Sequence, residues 1–94
     1  MSRRRSYHAE TLAIIERFFL ALDAIVASGE IRGVQTFCRE NAIDKRNLAS
    51  QRADHGRGYF EAYWLLPLIS KYGISERWLL LGEGAMKKDE KGAQ

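Results

Sequence analysis

Lys45, Arg46, Ala49, Ser50 and Ala53 fall on one side of a helical period that begins just after Asp44, and Leu48 falls on the other. Residues of these types can read the edges of base pairs. Lys45 and Arg46 can donate to O6 and N7 of guanine, Ser50 can pair with several bases, and Ala49 is small enough to touch a thymine methyl. Asn47, Gln51 and Arg52 flank that face, where they could serve phosphates or a base at its edge. Basic residues recur in two places. Arg3, Arg4 and Arg5 form one cluster, and Arg39, Lys45, Arg46, Arg52 and Arg57 form another that outnumbers the nearby Glu40, Asp44 and Asp54. The net charge of +3 alone is unremarkable, but two basic patches on a chain of 94 residues suit phosphate contact.

Other chemistries find less support. Cys38 is the single cysteine, which excludes an internal disulfide and a multi-cysteine zinc site, and its setting reads as a small core residue in a reducing, cytoplasmic compartment. His8 and His55 have no metal-ligand or nucleophile spacing. The Gly56-Arg57-Gly58 and Gly82-Glu83-Gly84 triplets follow no strand and open no phosphate-binding helix. No catalysis, cofactor, metal or small-molecule ligand is therefore expected. The basic start is followed by no long uninterrupted apolar run, so neither a signal peptide nor a membrane span is expected.

The elements that must position the basic face are helical throughout. In residues 8–28, Leu12, Ile15, Phe19, Leu22 and Val26 recur at the period of one helix face, with Ile14, Phe18, Ala21 and Ile25 beside them and Gly29 as a stop. A face this wide either fills one core or also meets a second chain. A shorter helix over residues 32–41 turns Val34, Phe37 and Cys38 inward. Asp44 then caps a third helix from Lys45, ended by the Gly-bearing stretch 54–58. Beyond Tyr59 a fourth helix carries Leu65, Leu68, Ile69 and Tyr72, with Pro67 either in the first turn of a helix from Leu65 or kinking a longer one from Phe60. Ser75 caps a short fifth helix containing Trp78, Leu79 and Leu80, closed by Gly82. The aromatic residues Tyr59, Phe60, Tyr63, Trp64, Tyr72 and Trp78 could stack single-stranded bases, but their helical spacing favours core packing. Residues 1–7 read as a basic arm, 8–86 as one domain, and 87–94 as a charged, disordered tail.

Over residues 33–86 the chain resembles the phage-repressor and Cro type of helix-turn-helix regulators, in the short all-helical form called XRE-like. The resemblance rests on Cys38, Ala42, Ile43 and Leu48 at the motif's small, turn, aliphatic and buried positions, and on the ending I-S-E-R-W-L-L-L-G-E-G-A-M. It implies an all-α, compact bundle of about five helices with a lambda-repressor-like helix-turn-helix, with Lys45, Arg46, Ala49 and Ser50 at base-contacting positions. Ala42 stands where the family carries a glycine, and either Ala42 or Asn41 is then the left-handed residue of the turn.

Together these readings point to sequence-specific binding of duplex DNA by a small transcriptional regulator. Lys45, Arg46, Asn47, Ala49, Ser50 and Arg52 lie on the reading helix, Arg3, Arg4 and Arg5 form a backbone-binding arm, and a homodimer places two half-sites one turn apart. The rival is a protein-interaction module on the same fold with little DNA affinity. RNA binding is a third and weaker reading.

Overall fold

The apolar stripes of the first segment become a 19-residue helix, α1 (Ala9–Ala27), in a computed structural model that describes residues 7–88. It is followed by α2 (Val34–Glu40), α3 (Lys45–Ala53), a 3-10 turn at Ala62–Trp64, α4 (Leu65–Ser70) and α5 (Glu76–Leu81). The described residues thus form an all-α bundle of five helices. No helix among them is long and apolar enough to cross a membrane.

Both stripes of α1 serve the same core. Ile15, Phe18, Phe19, Ala21, Leu22 and Ile25 are all buried, and Phe18 packs edge-on against Phe60 at 5.6 Å and tilted against Trp64 at 5.9 Å. Aromatic residues of the C-terminal half thus cover most of this face, and Leu12 near its start is left exposed. Trp64 is buried, and Tyr59, Phe60, Tyr72 and Trp78 pack against the core, so these rings are used for packing.

The start of α2 is two residues later than its apolar pattern suggests. Gly33 is its extended N-cap residue, and the preceding loop is held by Ile31, whose side chain is buried and whose amide, with that of Glu30, donates back to the Ile25 carbonyl. Pro67 lies in the first turn of α4, where the missing amide hydrogen has no helical partner to lose. The chain before it tightens into the 3-10 turn instead of extending the helix back to Phe60. Ser75 caps α5 as expected, its hydroxyl accepting from the Trp78 amide at 3.2 Å.

The C-terminal end of α5 is closed from a distance. Arg17 of α1 donates from Nε to the Leu79 carbonyl at 2.9 Å and from Nη2 to the Leu80 carbonyl at 3.1 Å, satisfying two orphan acceptors. Gly82, at φ 72°, leaves room for that guanidinium: a Cβ there would stand 3.1 Å from Arg17 Nη1. Lys87 and Lys88, grouped by composition with the tail, are paired with the domain. The Ser75 amide donates to the Met86 carbonyl and the Lys88 amide to the Gly73 carbonyl, both at 2.8 Å, and Lys87 reaches Glu30. The organised unit therefore extends through Lys88. The rest of the expected tail, and all but Tyr7 of the expected arm, lie outside the described residues.

Candidate nucleic-acid interface

Residues 41–44 turn the chain from α2 into α3, and a hydrogen-bond frame sets their shape. The Ile43 amide donates to the Cys38 carbonyl at 2.9 Å, closing α2 in the manner of a Schellman motif, with Ile43 and Cys38 both buried beneath it. The left-handed residue is Ala42, at φ 56°, whereas Asn41 sits at φ −118°. Asn41 is occupied otherwise: its side-chain amide donates to the Phe37 carbonyl at 2.8 Å and its Oδ1 accepts from Lys71 Nζ at 2.8 Å. The Tyr63 hydroxyl donates to the Ala42 carbonyl at 2.7 Å. Side chains from the 3-10 turn and from the end of α4 therefore hold the turn from behind.

The Asp44 carboxylate caps α3, accepting from the Arg46 amide at 2.8 Å and the Asn47 amide at 3.1 Å. This has an electrostatic consequence. The positive end of the helix is already satisfied by a carboxylate, so an external anion must be met by side chains instead of by free amides.

Leu48 and Gln51 are the buried residues of α3, and they fix its rotation. Lys45, Arg46, Ala49 and Ala53 are exposed on the opposite side, with Asn47 and Ser50 half-buried at its margin. Alongside them runs an open groove of about 470 Å³ between α3 and the start of α2. Val34 and Gln35 form its far wall, Leu48 its floor, and Lys45, Arg46 and Ala49 part of its near wall. The α2 wall carries no basic residue and is not legible from the charge pattern.

Two residues placed on the reading helix have other partners. Gln51 is fully buried, with Nε2 donating to the His55 carbonyl at 2.7 Å and Oε1 accepting from the Tyr59 amide at 2.9 Å. It clamps the Gly-bearing loop and is not available to a phosphate or base, a correction that its place one helical turn after the inward-facing Leu48 could have signalled. Arg52 lines the groove, but its guanidinium pairs with the Asp23 carboxylate at 2.9 and 3.1 Å and lies 4.9 Å above the Phe19 ring. His55 also stacks on Phe19, at 5.4 Å. Arg52 therefore joins α3 to α1 more than it faces outward. Arg3, Arg4 and Arg5 lie outside the described residues.

Cys38 is buried, and burial pushes its thiol above the ordinary range, away from the reactive thiolate. Among the described residues no group of His, Cys, Asp and Glu side chains converges where a metal ion could be held. No protein-family model, curated protein or solved structure matches the chain.

Proposed function

We propose that this chain binds duplex DNA sequence-specifically, as a small transcriptional regulator of the repressor-like helix-turn-helix type, with α3 in the major groove. The observation that carries the reading is the exposure of Lys45, Arg46 and Ala49 on one side of a capped helix whose other side is locked by Leu48 and Gln51. A side chain can read a base edge only if its helix is held in one rotation, and α3 is held at its cap, its floor and its Asp23 pair. Arg46 and Lys45 would meet guanine or phosphate, Ser50 and Asn47 would work from the margin, and Arg3, Arg4 and Arg5 would add backbone contact.

Pairing of two copies belongs to the proposal for a reason of reach. The nine residues of α3 span about 13.5 Å, or roughly four base pairs, too few to define a site alone. The test is a titration of labelled duplex DNA across salt concentrations. A log-log slope of roughly −4 to −8 is expected for a dimer neutralising about five to nine phosphates, and a slope near zero would overturn the reading.

A second reading is supported by exposed apolar side chains. Leu20, Leu66 and Leu81 are at least half exposed, which suits a protein-interaction module. Absence of any duplex shift at moderate salt would favour it.

A further inference from the structure

Tyr63 and Lys71, whose side chains hold the turn between α2 and α3, also line one shallow, open hollow of about 210 Å³ with Asn41, Leu66, Pro67 and Ser70. The hollow shares no residue with the groove beside α3. Pro67 and Leu68 are the residues that α4 buries, whereas Leu66 between Leu65 and Pro67 is 61% exposed and Tyr63 is 41% exposed. Folding makes little use of that leucine. Lys71 donates to Asn41 Oδ1 and has no carboxylate within ion-pair reach among the described residues. An ammonium group carries three donors, so the bond to Asn41 leaves others for an incoming acceptor.

We propose that this hollow is a docking surface for a segment of another protein that presents a large apolar side chain beside a carboxylate, the first to Leu66 and the Tyr63 ring and the second to Lys71. Size argues for a protein over a small molecule. Pockets that take small molecules usually measure about 300–1,000 Å³ and enclose most of the ligand, whereas a smaller, open hollow suits one anchoring side chain of a larger partner. The remaining residues of this chain do not supply that pair of groups. Residues 89–94, Asp-Glu-Lys-Gly-Ala-Gln, have acids without a large apolar side chain, and residues 1–6 have no acid. A second copy is disfavoured by charge, because a two-fold contact through the hollow brings Lys71 toward its own counterpart.

The test selects displayed random peptides on the full chain and measures the enriched peptides against the unaltered protein and three variants. Enriched sequences should carry Leu, Phe or Trp next to Asp or Glu. Leu66→Ser should weaken their binding about tenfold and Lys71→Gln about two- to fivefold, while Leu81→Ser, at an exposed leucine outside the hollow, should leave it unchanged. All three positions are exposed, so the melting curves should stay close to that of the unaltered protein. Failure to enrich any peptide, enrichment of basic sequences, or affinity indifferent to Leu66→Ser overturns the proposal. Displacement of the peptides by a single-stranded oligonucleotide overturns it in favour of a stacked base and its phosphate, and a dimer abolished by Leu66→Ser overturns it in favour of a second copy. No readout here contains duplex DNA, so the reading of α3 stands or falls separately.

Discussion

The Tyr63 hydroxyl donates to the carbonyl of Ala42, the one non-glycine residue with a left-handed backbone among those described. A side chain there suffers a steric cost of about 1–2 kcal/mol that glycine would avoid. The turn between α2 and α3 is thus held partly against its own preference, by a contact from a distant part of the chain.

Ala42→Gly should stabilise the protein by about 0.5–1 kcal/mol, since the relief of strain exceeds the extra entropy of an unfolded glycine. The melting temperature should rise by roughly 3–6 °C. Tyr63→Phe should lower stability by about 0.5–1 kcal/mol, and by less in the Ala42→Gly background, where the turn needs no external restraint. Thermal melts of the four proteins measure this coupling. Strictly additive changes would mean that the hydroxyl does not hold the turn.

Arg46 and Leu48 separate reading from folding. Arg46→Ala should cost about 1–3 kcal/mol of affinity at the preferred duplex, relax its specificity and leave the melting curve in place. Leu48→Ala removes a fully buried side chain and should cost about 2–5 kcal/mol of stability, with DNA binding lost only as the fold is lost. Titrations on matched and scrambled duplexes, beside melting curves, distinguish the two. Unchanged specific affinity for a folded Arg46→Ala would refute the orientation assigned to α3.

Arg52 should behave more like Leu48 than like Arg46, though less severely. Its pair with Asp23 is partly exposed and its contact with the Phe19 ring adds a second attachment, so Arg52→Ala should destabilise by about 1 kcal/mol. Asp23→Ala should do nearly the same. A large loss of DNA affinity in Arg52→Ala without loss of stability would return Arg52 to the reading face.

The clasp between Glu30 and Lys87 should make stability depend on pH at the acidic end. Hydrogen bonds from Lys87 and then Ser28 hold the Glu30 carboxyl below its ordinary value of 4.5. A lowered folded-state pKa stabilises above the ordinary value, and that contribution is lost as pH falls through the lower one. Glu30→Gln should therefore melt below the unaltered protein at about pH 7, with the gap closing toward about pH 3. A gap that persists in acid would show that the carboxylate charge is not what holds Lys87.

Much of this arrangement was legible in the sequence because it is local. The period of α1, the Asp44 cap and the outward placement of Lys45, Arg46 and Ala49 follow from helix geometry within a few residues. The Ser75 cap and the Gly82 stop are equally short-range. The expected all-helical bundle follows from the same regularities, as each segment carries an apolar face that another must cover.

Tertiary structure decided the matters that depend on residues far apart in the chain. Whether the wide face of α1 was free or filled depended on aromatic rings more than thirty positions away, such as Phe60 and Trp64. The left-handed turn at Ala42 is braced by Tyr63, which donates to its carbonyl, and the neighbouring Asn41 side chain is engaged by Lys71, both from far along the chain. Gln51 and Arg52 have polar side chains that composition assigns to solvent, yet the first found buried partners in its own loop and the second a carboxylate on α1. Helical period determines which way a residue points. Only the packed structure determines which partner stands there, because a hydrogen bond or ion pair depends on the position of both groups.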